Sequence, residues 1–118
     1  MYDLKYFKPN EFSHAETIDP MLAKQLDEMR SIYNAPIYIT GSYRDSTDGP
    51  RTSAHTIGSH GFWQAVDIRC SDSEGRFLLV SAAYLAGFRR IGVYDRHIHI
   101  DVAEEGFDQD VMWVGVSK

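Results

Sequence analysis

His60, Asp67 and His99 are side chains of metal-binding type. His60 and Asp67 stand in a His-x6-Asp arrangement, and His99 closes the downstream run His97-Ile98-His99. Imidazole nitrogens and a carboxylate make a three-ligand zinc set that leaves a fourth position for water, which the metal turns into a nucleophile near neutral pH. A lone His or Asp is usually only hydrogen-bonded, so the weight rests on the three donors together. The chemistry expected of them is zinc-dependent hydrolysis.

Such a set works only if separate elements bring it to one place. The run Ala65-Val66-Asp67-Ile68 reads as a strand, in which alternation sends Val66 and Ile68 to one face and Ala65 and Asp67 to the other. The same rule turns Ile98, Ile100 and Val102 toward the core and leaves His97, His99 and Asp101 on the opposite face. Residues 90–94 and 97–102 read as paired strands around Asp95-Arg96. Between Gly41 and Gly61 the chain is rich in Gly, Ser, Thr, Asp and Arg and lacks periodicity, so it reads as a long loop at an active-site rim, from which His60 is delivered.

The remaining elements supply the scaffold. Asp19-Pro20 opens a helix over residues 20–33, with Leu22, Leu26, Met29 and Tyr33 at helical spacing. A short strand is expected at residues 37–40. A second helix is expected at residues 74–86, with Ser71 or Ser73 as its cap, Phe77, Val80 and Tyr84 on its buried face, and Gly87 at its C-terminal end. The run Val111-Met112-Trp113-Val114 suits an edge strand. This pattern describes an α+β fold: a small antiparallel sheet with two main helices and a zinc cleft.

The 118 residues, 43% of them hydrophobic, suffice for one domain over residues 1–118 that buries roughly two thirds of its unfolded surface. A net charge of -5 with scattered basic residues argues against nucleic acid as a partner. The single cysteine, Cys70, excludes an internal disulfide and follows an apolar run, as a structural thiol does. Neither a signal-peptide pattern nor a transmembrane run is present, so the expectation is a soluble product made in the cytoplasm, for which action on material outside, at the cell wall, depends on another route of release.

The chain resembles the zinc-dependent M15 peptidases, the D-Ala-D-Ala carboxypeptidases and phage endolysins related in fold to the Hedgehog signalling domain. Their signature, S-x-H-x-x-G-x-A-x-D followed later by a strand with the last His, is similar to His60-Gly61-Phe62-Trp63-Gln64-Ala65-Val66-Asp67 at the His, Ala and Asp positions, with Trp63 at the Gly position. His97-Ile98-His99-Ile100-Asp101 resembles the closing segment. Ile39-Thr40-Gly41-Ser42-Tyr43-Arg44 resembles the family's strand and Arg-bearing turn. Ser53-Ala54-His55-Thr56-Ile57-Gly58 matches the first half of the signature more closely than the His60 segment does, but it stands farther from Asp67, which makes His55 the alternative ligand.

The resemblance implies zinc as cofactor and peptidoglycan peptides as substrate, cut at D-Ala-D-Ala or L-Ala-D-Glu bonds, as in a bacteriophage endolysin. It implies that Arg44 clamps a substrate carboxylate, a role suited to a bidentate fork. Related enzymes carry an acidic residue three positions before the last His, where this chain has Arg96. Asp95 is the nearest acid, and His97 is placed to stabilise developing negative charge. Asp101 suits a ligand-orienting role. The alternatives are a zinc-stabilised cell-wall binding module without catalysis and a virion structural protein.

Overall fold

The computed structural model describes residues 3–115. Asp19 caps helix α1 (Pro20–Tyr33) by accepting from Met21 N at 2.8 Å, and Asn34, in the left-handed region, ends it. Leu22, Leu26 and Met29 are buried as their spacing predicts, while Tyr33 packs at the core margin. Two single-turn 3-10 helices, Pro9–Glu11 and Ala15–Thr17, precede it.

Five strands form one sheet: β1 (Ile39–Gly41), β2 (Ala65–Arg69), β3 (Arg90–Val93), β4 (His97–Asp101) and β5 (Val111–Val114), in the order β1-β2-β4-β3-β5. The expected antiparallel sheet is in fact mixed. β5 pairs parallel to β3, because residues 102–110 carry the chain back across the sheet before it runs along the free edge of β3.

Helix α2 (Ser73–Leu85) is capped by Asp72, not by Ser71 or Ser73, through Gly75 N at 2.7 Å. Its buried face also differs from expectation. Leu79, Ala82 and Ala83 are buried, whereas Phe77 and Tyr84 are exposed. Small Ala82 and Ala83 let the helix lie close to α1 and to the sheet, a packing preference that a count of large apolar residues overlooks.

The core fills one side of the sheet, where Val66, Ile68, Ile91, Ile98 and Ile100 meet the two helices. The other side is covered as well. Residues of the long loop fold back onto it, and Ala54, Ala65 and Ala103 form a small buried cluster with Phe107 against it. β2 is therefore buried on both faces, Asp67 included.

Register places a row of residues across all five strands: Gly41, Asp67, His99, Gly92 and Trp113. The glycines make room for their neighbours. A Cβ on Gly41 would stand 2.7 Å from Asp67 Oδ2, and one on Gly92 would stand 2.7 Å from the Trp113 indole. Among the described residues, no helix is long and apolar enough to cross a membrane.

Candidate metal centre

Asp67 on β2 and His99 on β4 are direct cross-strand partners, and His99 Nδ1 lies 3.3 Å from Asp67 Oδ1. The third donor is His55. Its Nε2 lies 3.3 Å from the same oxygen, and its ring meets His99 edge-on at 5.1 Å between centroids. One ligand atom from each of His55, Asp67 and His99 falls within 4.8 Å of the others.

The structure does not bring His60 to this cluster. His60 is exposed, its ring stacks on Phe62, and its Nδ1 accepts from Phe62 N. The structure places His55, and not His60, beside Asp67 and His99, and the reason lies in the loop between them. Gly58 N donates to Phe62 O at 3.0 Å, closing residues 58–62 into a small excursion turned by Gly61 at φ +88°. The chain returns to where it left, so these residues add separation in sequence without adding separation in space. The match of Ser53-Ala54-His55 to the signature is the signal for this ligand, and spacing counted along the chain obscures it.

Local hydrogen bonds aim His55. Its N–H donates to Ser53 Oγ, its carbonyl accepts from Arg44 N, and Arg51 NH2 holds the flanking carbonyls of Ala54 and Thr56. The Ser42 carbonyl lies 2.6 Å from His55 Nδ1. A carbonyl oxygen can only accept, so in the neutral ring the proton sits on Nδ1 and Nε2 keeps its lone pair. Among the described residues, His55 Nε2 is the one buried side-chain nitrogen or oxygen without a hydrogen-bond partner. It faces a carboxylate oxygen, and two acceptors facing each other in a buried place call for a cation between them.

His99 repeats this logic with its nitrogens exchanged. Nε2 is 2.6 Å from Asp101 Oδ2, so a proton on Nε2 donates to that carboxylate and Nδ1 turns its lone pair to Asp67. Two imidazole lone pairs and a carboxylate, two of the three buried, are a donor set suited to zinc. The residues fit the metal.

The electrostatics agree with the geometry. Burial alone would raise the Asp67 carboxyl, but the His55 and His99 rings, when each carries a second proton, outweigh burial by hydrogen bonds and charge and hold it well below the usual carboxylate range. Burial alone would lower His99, but hydrogen bonds to Asp101 and then to Asp67 outweigh it and raise the imidazole.

Arg44 also reaches the centre. Its NH2 donates to Asp67 Oδ2 at 2.7 Å while 56% of its side chain stays exposed. His97 stacks on Tyr94 with centroids 4.4 Å apart, and its Nε2 lies 4.0 Å from Asp67 Oδ1. Asp95 lies in the exposed turn between β3 and β4, its carbonyl accepting from Arg76, and does not line the cleft over the donors.

That cleft, about 320 Å³, is lined by Arg44, Ser53, His55, Tyr94, His99 and Trp113, among others. Trp113 is expected from the sequence only as part of an edge strand, yet its ring lies 5.2 Å from that of His99. Trp63 and Tyr43 do not line the cleft: Trp63 is wholly buried, and Tyr43 packs on His14. Larger cavities of about 490 and 610 Å³ lie elsewhere, and neither is lined by His55, Asp67 or His99. Clustered donors, not cavity size, locate the site.

Residues 5–101 match the family model described as Peptidase M15, a stretch that includes α1, α2, strands β1 to β4 and all three donors. No curated protein matches the chain.

Proposed function

The chain belongs to the Peptidase M15 family, and from that premise we propose that it is a zinc-dependent hydrolase of peptide bonds in bacterial peptidoglycan. The bond is of the D-Ala-D-Ala type cut by carboxypeptidases or the L-Ala-D-Glu type cut by endolysin-like endopeptidases. The observation that carries the metal assignment is the buried lone pair of His55 Nε2, unpartnered and 3.3 Å from Asp67 Oδ1.

In this reading His55, Asp67 and His99 hold the metal and Asp101 orients His99. Zinc held there supplies Lewis-acid polarisation of the scissile carbonyl and makes the attacking water more acidic. Arg44 binds a carboxylate of the peptide: one nitrogen stays on Asp67, and the exposed part of the fork is available to substrate. That contact fixes the peptide in register over the donors. His97, packed on Tyr94 at the edge of the centre, stabilises negative charge on the carbonyl oxygen. Proton transfer between water and the leaving amine would fall to Asp95 only if the turn between β3 and β4 moved inward, since Asp95 stands outside the cleft.

The test is hydrolysis of defined cell-wall peptides by the zinc-loaded protein. Released D-Ala identifies the carboxypeptidase, and a new D-Glu amino terminus identifies the endopeptidase. With full metal occupancy and both peptides intact, the hydrolytic reading fails.

A second reading has its own observation. Asp95 stands outside the cleft, and Arg96 occupies the position where resembled enzymes carry an acid. That favours a zinc-stabilised wall-binding module, which would bind peptidoglycan saturably and generate no new termini.

A further inference from the structure

The three donors do not stand alone. Asp101, whose side chain is completely buried, bonds His99 through Oδ2 and uses Oδ1 to accept from Arg90 Nε at 2.7 Å and from Ala103 N at 3.0 Å. A buried carboxylate needs a cationic partner, and Arg90 is a permanently charged one that meets it. Arg90 is itself held on several sides. NH1 donates to the Asp108 carbonyl at 2.6 Å, and the guanidinium carbon lies 4.9 Å from the Phe107 ring centre and 5.1 Å from that of Trp113. Only 11% of its side chain is exposed.

Trp113 bridges this assembly to the metal centre. Its indole lies across Gly92, reaches His99, and donates from Nε1 to the Tyr94 hydroxyl at 3.0 Å. Phe107, Asp108 and Trp113 all follow residue 101, where the family match ends. The segment that closes the sheet after β4 thus grips the side chain behind His99.

We propose that Arg90 is a positioning residue for metal binding. Held by Phe107, Asp108 and Trp113, it fixes the Asp101 carboxylate so that His99 keeps its proton on Nε2 and presents Nδ1 to Asp67. The proposal rests on the zinc reading of the centre, but it makes a claim about His99 that holds without metal. A guanidinium serving only to stabilise the fold would not select between the two tautomers of that ring. Arg90 selects because its fork spans two acceptors, Asp101 Oδ1 and Asp108 O, and so leaves Asp101 Oδ2 directed at one nitrogen.

The test combines long-range proton–nitrogen NMR of the His99 ring, in metal-free protein at a pH raised until that ring is neutral, with zinc affinity by competition against a chromogenic chelator. Wild-type His99 is expected as the Nε2–H tautomer. Arg90→Met is expected to mix tautomers and to weaken zinc binding by about 10- to 100-fold, the range usual for loss of a partner that orients a ligand. Arg90→Lys is expected to stay well below wild type, since one ammonium cannot bond Asp101 and Asp108 together. A wild-type Nδ1–H tautomer overturns the proposal even if neither variant folds. So does either variant, folded by circular dichroism, that keeps the wild-type tautomer and binds zinc within about twofold of wild type, since an orienting partner should matter more than that. If wild-type protein takes up no zinc, the metal reading fails while the tautomer comparison still decides the role of Arg90.

Discussion

His55 Nε2 lies 3.3 Å from Asp67 Oδ1, and in the neutral ring it has no proton to offer that oxygen, because His55 Nδ1 is committed to the Ser42 carbonyl at 2.6 Å. The same oxygen meets the same situation from His99, whose Nδ1 also stands 3.3 Å away with its partner nitrogen bonded to Asp101. The carboxylate therefore sits between two lone pairs aimed by the surrounding backbone and side chains. Either a proton or a metal ion relieves that arrangement, so the two compete for the same place.

Protonation gives a pH dependence of definite sign. His99 in the metal-free protein titrates above its ordinary value of 6.5, so its contribution to stability is fully present below that value and is lost as pH rises through the raised one. Asp67 titrates far below its ordinary 3.8, so its contribution is present above that value and fades only in strong acid. Zinc must displace the His99 proton, so zinc affinity rises over the pH range in which metal-free stability falls. Thermal melts from about pH 6 to pH 9 should show Tm falling without zinc and the stabilisation by zinc growing. Stabilisation by zinc that shrinks with rising pH would contradict this.

Gly41→Ala tests how closely β1 approaches the centre. The added Cβ meets Asp67 Oδ2 at 2.7 Å and displaces the carboxylate from both Arg44 and the histidines. The expected cost is about 1–3 kcal/mol of stability, typical of overpacking, together with weaker zinc binding, read by urea unfolding and zinc titration. Unchanged zinc affinity would show that Asp67 is not held where β1 confines it.

Much of the scaffold is legible in the sequence because hydrophobic period and capping act locally. The bounds of α1, the strand carrying Asp67, the paired strands around Asp95-Arg96 and the placing of Ile98 and Ile100 opposite His97 and His99 all follow from such rules. What is not legible depends on the chain meeting itself. The choice between His55 and His60 turns on a loop closed by Gly58 and Phe62. The buried face of α2 turns on two alanines, and the role of Trp113 turns on a parallel edge strand laid across Gly92.

The α2 correction can be measured. Phe77→Ser, on the exposed face, should change stability by no more than about 0.5 kcal/mol, whereas Leu79→Ala, in the core, should cost about 2–5 kcal/mol. Chemical denaturation of both variants decides. Equal losses would mean that the helix packs through both faces.

Arg44 separates substrate binding from metal binding. Arg44→Met and Arg44→Lys should both retain zinc, because the three donors remain, yet lose about 10- to 100-fold in kcat/KM, the worth of about 1.4–2.8 kcal/mol from a charged hydrogen-bonding pair. Lysine should not rescue, since it cannot make a two-pronged contact with a carboxylate. Steady-state kinetics on a cell-wall peptide read the loss. Full activity in Arg44→Lys would reduce Arg44 to a plain countercharge for Asp67.

The metal assignment itself is tested most directly by counting zinc per chain with elemental mass spectrometry, on untagged protein purified without chelator. Wild type, His55→Ala, His60→Ala and His99→Ala should be measured side by side. About one equivalent is expected in wild type and in His60→Ala, and far less in His55→Ala and His99→Ala, because a three-residue site loses a ligand in only those two. Folded wild-type protein that refuses added zinc, or loss of metal from His60→Ala with retention in His55→Ala, would contradict a centre built from His55, Asp67 and His99.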